Sequence, residues 1–284
     1  MSRIVYLNGA FVPPEEAKIS IFDRAVNFGD AVYEVAGVLE GKLVDFEHHM
    51  ERYFSSLEKL SIPSPLSKDE ILQAFRELVK ANNIEEGLVY MQVSRGVAER
   101  DFVWEEGMKP TVFMFTQPKL TIENEVAKTG IKVCSVEDIR WARRDIKTVN
   151  LLGQVLVKQM AHDQGAYEAL MIDTEGHITE CGSTSFFIIA DNRIITRPLS
   201  NDILPGVTRR ALVSLADGKN LELVEKKFTL ADAISADEAF ITGASSYVIP
   251  VTQIDDSKIG DGKPGPLTLK LREIYIEHVR ESLV

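Results

Sequence analysis

Apolar and polar residues alternate at the start of the chain, in "RIVYLNGAFV", and the alternation breaks at Asn8-Gly9. A period of two marks a half-buried strand, and Asn-Gly suits a tight primed turn, so this stretch predicts a hairpin. The stretch "AVYEVAGVLEGKLVDF" predicts a second strand pair turning at Glu40-Gly41-Lys42. The period then changes. In "EHHMERYFSSLEKLSI", Met50, Phe54, Leu57 and Leu60 recur at helical spacing, and Pro63 and Pro65 stop the helix. Phe54, Leu57 and Leu60 read as core. Another helix is predicted over 68–82, followed by the strands "GLVYMQVSRG" and "TVFMFTQP".

From Gln117 to Lys128 bulky apolar residues thin out, which predicts a linker. The pattern thus divides the chain into a smaller α+β domain (1–116), a linker (117–128) and a larger domain (129–284). The larger part opens with the strand "GIKVCSV" and continues with a helix from about Asn150 to Asp163. Hairpins follow through Glu175-Gly176 and Asp191-Asn192, then a helix led in by Pro205-Gly206. A short strand, a helix near 230–236, the strand "DEAFITGAS" and a closing helix from about Leu267 complete it. The lack of regular βαβ alternation argues against a Rossmann sheet and for an α+β class.

Composition narrows the function. A length of 284 residues allows two modest domains, and 45% hydrophobic with 26% charged residues is ordinary for a soluble globular protein. The net charge of −11 argues against a protein that coats nucleic-acid phosphates or a basic membrane surface. A small anionic ligand would need a local basic pocket. Cys134 and Cys181 show neither metal spacing nor a disulfide framework, no signal-peptide pattern opens the chain, and no apolar run reaches bilayer length. A cytoplasmic protein is expected.

Candidate chemistry centres on "DIRWARRDIKTVNLLG", where Lys147 follows Arg140, Arg143 and Arg144 and precedes the predicted helix start. Positive neighbours and the positive helix end favour a neutral amine, the form that attacks a carbonyl to make a Schiff base. The plain alternative is a solvated turn lysine. In "ITECGSTS", Glu180 is a candidate partner for a heterocyclic nitrogen, as a cofactor such as pyridoxal phosphate requires; the alternative is a hairpin end. Gly182, Ser183 and Thr184 offer hydroxyls and N–H groups to an anion. In "ILPGVTRRAL", Gly206, Val207 and Thr208 open a helix, where free N–H groups favour a phosphate, or where a plain cap sits. The chain has no GxGxxG after a strand, P-loop, HExxH or GxSxG. His48 and His49 would point about 100° apart on a helix, a poor chelating pair, so no metal is expected.

Taken together, "VEDIRWARRDIKTVNLLGQVLVKQMAHDQGAYEA" resembles the signature of the fold-type IV, pyridoxal-phosphate-dependent aminotransferases. The resemblance runs through "DRAVNFGDAVYEV", "HMERYFSSLEKL", "TECGSTSFF", "LPGVTRRAL" and "DEAFITGASSYVIPV", nearly the whole chain. It is greatest to the D-amino-acid transaminases. It implies a two-domain fold with the cofactor at the domain interface. It makes Lys147 the Schiff-base lysine of the larger domain and Glu180 the partner of the pyridine nitrogen. Arg52, Val207 and Thr208 would hold the phosphate, with Ser183 near it and Leu204 against the ring. Where the family has a phosphate-binding threonine in the block "TGAS" this chain has Ala244, with Ser245 beside it. Tyr33 and Arg100 would meet the substrate carboxylate, and the family's Arg-x-His reads Arg100-x-Phe102 here.

The activity so implied is transfer of an amino group from a D-amino acid of the D-alanine type to a 2-oxo acid such as 2-oxoglutarate, in ping-pong order. A branched-chain L-amino-acid aminotransferase would share Lys147, Glu180 and Arg52. An aminodeoxychorismate lyase would need no amino acceptor, an (R)-amine transaminase no substrate carboxylate, and a non-catalytic binding protein no turnover. Family members are homodimers in which a partner loop reaches the substrate pocket, so a homodimer is expected.

Overall fold

The computed structural model describes residues 3–218 and 221–284 and divides into two compact units. The first comprises Met1–Leu120, Ile146–Asn150 and Ser282–Val284; the second, Thr121–Asp145 and Leu151–Glu281.

In the first unit, β1 (Val5–Leu7) and β2 (Ala10–Val12) join through Asn8 and Gly9, both at positive φ as a primed turn requires. After a short helix, α1 (Arg24–Phe28), come β3 (Ala31–Leu39), β4 (Lys42–Leu43), the helices α2 (Phe46–Lys59) and α3 (Lys68–Ala81), then β5 (Glu86–Ser94) and β6 (Thr111–Pro118). The strands form an antiparallel sheet in the order β2-β1-β6-β5-β3-β4. Alternate residues such as Val32, Val89, Met91 and Met114 bury against Phe46, Met50, Tyr53 and Leu57 of α2 and Ile71, Phe75 and Leu78 of α3. Ser67 starts α3 with a capping box completed by Glu70, worth about 1 kcal/mol.

β4 is short and covers only Val38 and Leu39 of β3. The edge it leaves open takes the segment 146–150. Tyr33 N–H donates to the Lys147 carbonyl (3.0 Å), Val149 N–H to the Ala31 carbonyl (3.2 Å), and Val32 bridges Thr148. The boundaries expected from sequence shift accordingly: the division falls at residue 120, and the segment carrying Lys147 belongs to the first unit. Nothing in the local pattern announces this, because the pairing is to a strand more than a hundred residues earlier.

The second unit contains α4 (Glu125–Thr129), β7 (Ile131–Glu137), α5 (Leu152–Asp163), β8 (Glu168–Ile172), β9 (Ile178–Cys181), β10 (Ser185–Ala190) and β11 (Arg193–Thr196). Then follow α6 (Val207–Gly218), β12 (Leu223–Glu225), α7 (Leu230–Ile234), β13 (Glu238–Gly243), β14 (Tyr247–Ile254), β15 (Ser257–Lys258) and α8 (Pro266–Glu281). The mixed sheet runs β12-β11-β10-β13-β14-β7-β8-β9, with β15 on β14. β7 is parallel to both β8 and β14, while most other pairs are antiparallel hairpins. The expected linker is partly structured: β6 runs through Pro118, and α4 forms with Asn124 as its cap. Sequence patterning also missed α1, and β14, which is apolar on both faces from Tyr247 to Val251 and shows no alternation.

Gly96 sits at φ +116°, and a Cβ there would overlap the Lys109 carbonyl oxygen. Gly96→Ala is expected to cost about 1–3 kcal/mol, read as a lowered Tm in thermal denaturation. An unchanged Tm would show that this close approach does not exist.

Candidate active site

Lys147 is held by its backbone. Its carbonyl accepts from Tyr33, and its N–H donates to Ser56 Oγ of α2 (3.2 Å). Its Nζ lies 4.0 Å from the centre of the Tyr33 ring and makes no hydrogen bond or ion pair among the described residues. The helix expected beside it begins later, at Leu152. In the second unit, the three arginines that precede Lys147 in sequence are committed to carboxylates. Arg140 pairs with Asp138 and Glu180, Arg143 with Asp145 (2.9 Å), and Arg144 with Asp138 (3.5 Å) and Asp202 (3.7 Å). Proximity in sequence had assigned their charge to the lysine; tertiary pairing directs it elsewhere.

On β3, Tyr33 faces the half-exposed side and the next residue, Glu34, the buried side, as the strand period dictates. Glu34 is fully buried and accepts from His49 Nδ1 (2.9 Å) and from Arg52 Nε (3.0 Å) and Nη2, both residues on α2. His49 and Arg52 reach the same carboxylate because α2 sets them one turn apart. Burial by itself would raise the Glu34 carboxyl, but Arg52 and His49 outweigh it and hold it well below the usual carboxylate range. Arg52, expected from sequence to grip an anion, is thus oriented by a buried carboxylate that sequence reading passed over. An acidic residue within an alternating strand was the available signal.

In the second unit Glu180 lies in β9, one residue before its end, and is buried. Its Oε1 accepts from Arg140 and from the Leu204 N–H (3.1 Å), and its Oε2 accepts from none of the described residues. Arg140 is locked by a two-pronged contact with Asp138, Nε to Oδ1 at 2.9 Å and Nη2 to Oδ2 at 2.7 Å, and Thr179 donates to the same carboxylate. Burial raises the Glu180 pKa above its ordinary value, against the pull of Arg140. Leu204 therefore meets Glu180 through its backbone.

Three segments meet near the start of α6. Gly206 lies against Ser185, since a Cβ there would press on its hydroxyl, and Gly243 lies close to Thr184 and the Ser183 carbonyl. Val207 and Thr208 open the helix, and both are buried. The Thr208 hydroxyl, and that of Thr242 near the end of β13, have no hydrogen-bond partner among the described residues. A buried hydroxyl left unpaired at the start of a twelve-residue helix is what a bound phosphate would satisfy, so these residues fit such a group. Ala244 and Ser245 follow Gly243 and are half-buried, whereas the Ser183 hydroxyl donates to Glu168 (2.9 Å) and accepts from Lys158 (3.0 Å). Sequence reading did not single out Thr242, although it lies in the quoted "TGAS" block.

Arg100 is exposed in the loop after β5, with its guanidinium 5.3 Å from the Phe28 ring centre and 5.6 Å from that of Phe102. Phe102 is 75% exposed and packs against Phe28. His49, one of the histidines weighed as a chelating pair, is instead the buried partner of Glu34.

The fold is a mixed one of two units, and comparison with known proteins gives its class. The chain belongs to the class IV aminotransferases, whose family model matches residues 31–254. It is similar to the D-alanine aminotransferases of Staphylococcus haemolyticus, 37% identical with 97% of each chain covered, and of Listeria monocytogenes serotype 4b, 37% identical with 98% of this chain and 96% of that one covered. Among solved structures, the T.th. branched-chain amino acid aminotransferase with pyridoxamine 5'-phosphate superimposes with a TM-score of 0.89 at 29% identity, covering 98% of this chain and 94% of that one. The Escherichia coli branched-chain enzyme, at 24% identity and a TM-score of 0.93 over 98% and 95% of the two chains, shares the fold. The architecture is the fold-type IV aminotransferase fold that the sequence blocks implied.

The Glu34 pairing makes stability pH-dependent in a defined direction. A carboxyl whose pKa is lowered by folding contributes fully above its unfolded value, near 4.5, and loses that contribution as pH falls below it. Denaturant unfolding from pH 7 to pH 3 should show stability falling below about pH 5, with a shallower fall in Glu34→Gln. Identical slopes would remove Glu34 from the account.

Proposed function

We propose that this protein is a pyridoxal-phosphate-dependent aminotransferase that moves the amino group of a D-amino acid of the D-alanine type to a 2-oxo acid such as 2-oxoglutarate. The observation that carries the reading is the Lys147 amine, anchored through its backbone to β3 and free of competing hydrogen bonds. The full-length likeness to D-alanine aminotransferases supports the D-specific assignment over the branched-chain alternative.

With pyridoxal phosphate bound, Lys147 would hold it through its aldehyde carbon, and Glu180 Oε2, with no donor among the described residues, would accept from its ring N–H. Arg140 opposes the rise that burial imposes on Glu180 and so favours the carboxylate form that would accept a ring N–H. Arg52 of the first unit and, in the second, the Val207 and Thr208 N–H groups with the Thr208 hydroxyl would be the donors for its phosphate; Leu204 would pack on its ring, with Ala244, Ser183 and Ser245 as further contacts. Bound pyridoxal phosphate supplies the electron sink for the pair released at the substrate Cα. Lys147 Nζ would be the group that takes and returns the substrate Cα proton. Tyr33 and the Arg100 guanidinium, a two-pronged donor, bind the substrate carboxylate, and Phe102 gives that pocket an apolar edge. Release of the first oxo acid before the second binds gives ping-pong kinetics.

The protein works as a cytoplasmic homodimer. Cys134 and Cys181 are buried and unpaired, as a reducing compartment allows, and no helix among the described residues is long and apolar enough to cross a membrane. α5 exposes Leu152, Val155, Leu156 and Met160 on one face, an apolar stripe suited to a second copy.

Cofactor-loaded protein should lose its visible band on addition of D-alanine but not of L-leucine, and Lys147→Ala should cut transamination by about 10²–10⁴-fold or more. A response to L-leucine alone would move the protein to branched-chain substrates. Light scattering after size exclusion should give twice the chain mass, and Leu156→Asp should shift the population toward monomer; a monomeric parent protein would refute the assembly.

A further inference from the structure

The segment carrying Arg100 is exposed, yet it is tied down by two arginines that are themselves buried. Arg24 and Arg95 have side chains only 5% and 4% exposed and share one carboxylate, Asp30. Arg24 Nε donates to Asp30 Oδ2 (2.7 Å), while Arg95 donates from Nε (2.8 Å) and Nη2 (3.1 Å). The remaining donors of Arg24 point into the loop: Nη1 meets the Asp101 carbonyl (2.6 Å) and Nη2 that of Phe102 (3.2 Å). Arg24 thus holds the residues on the far side of Arg100. The near side is held by backbone contacts, from Arg24 N–H to the Gly96 carbonyl (2.9 Å) and across the bridge between Asp23 and Val97.

Arg95 fixes the base of the same assembly. Its Nη groups donate to the Leu60 and Ser61 carbonyls at the C-terminal end of α2, and its guanidinium lies 4.0 Å from the Trp104 ring centre at the loop's end. Phe28 completes the arrangement, with Arg24 over its ring at 4.6 Å and Arg100 at 5.3 Å. Two cations over one ring, one clamped to Asp30 and one at the loop tip, set the direction from which Arg100 leaves the loop.

We propose that Arg24, Asp30 and Arg95 are positioning residues that hold the segment 97–104 and so place Arg100. The geometry needs a planar fork, because Arg24 reaches one carboxylate and two carbonyls in different directions at once. A lysine keeps the charge and loses that reach. Any effect on catalysis rests on the reading, made above, that Arg100 binds the substrate carboxylate. Holding the loop does not.

The test uses cofactor-loaded protein in a Trp141→Phe background, so that Trp104 is the single tryptophan reporter. Arg24→Met and Arg24→Lys remove the fork, and Asp30→Asn weakens both ion pairs as an independent variant. Amide exchange across 97–104 should accelerate by about tenfold or more in all three, and Trp104 emission should shift to the red. The cofactor absorption band should not change. If Arg100 binds the carboxylate, KM for D-alanine should rise by about tenfold while kcat changes by no more than about twofold to threefold. Parent-like exchange and emission in the folded variants would overturn the positioning role. A loosened loop with an unchanged KM would uphold that role and refute the assignment of Arg100 to the carboxylate.

Discussion

Two backbone hydrogen bonds, from Tyr33 to the Lys147 carbonyl and from Val149 to that of Ala31, join a five-residue segment to the open edge of β3. A lysine side chain has four rotatable bonds, so its amine can be placed only if its base is fixed and its surroundings limit its rotamers. Here the base is fixed by β3, whose other side pairs with β5 along its whole length. The same strand places Tyr33 beneath the amine and Glu34 on the opposite face, against α2. One alternating strand thus sets the ring beneath the Lys147 amine and the orientation of Arg52 together.

Buried and half-buried carboxylates do much of the remaining organisation. Asp30 joins Arg24 to Arg95, Glu34 joins His49 to Arg52, and Asp138 locks the Arg140 that meets Glu180. Removing such charges from water is costly, and the pairing returns that cost only with good geometry and extra hydrogen bonds. In each cluster the guanidinium is gripped at two nitrogens or more, and the spare donors of Arg24, Arg95 and Arg140 go to backbone carbonyls or to a second acid. These groups act on function by orienting others. The protein's net charge of −11 says nothing of this, because the carboxylates that matter are neutralised locally.

Much of the architecture was legible in the chain. Period-two alternation identified β1, β3, β5 and β6, and the positive-φ residues Asn8, Gly9, Glu40, Gly41, Asp191 and Asn192 stand where turns were expected. The helical spacing of Met50, Phe54 and Leu57 marked α2, and α3 falls within the helix expected over 68–82. These signals are local, and local chemistry sets strand period, turn type and helix ends. The family blocks likewise pointed to Lys147, Glu180, Arg52 and Thr208 without any view of their partners.

By itself, then, the sequence determined most of the elements, the two-part mixed class and the residue types available for imine chemistry. Only the tertiary structure decided where the charges went. Arg140, Arg143 and Arg144 looked like neighbours of Lys147 because they precede it closely, yet they pair with Asp138, Asp145, Glu180 and Asp202. It also decided that the segment 146–150 joins the first unit and that Glu34 and Asp30 serve as orienting acids. The physical reason is range. Backbone propensity acts over a few residues, whereas an ion pair or an added strand depends on which surfaces the packed core brings within about 3 Å of one another.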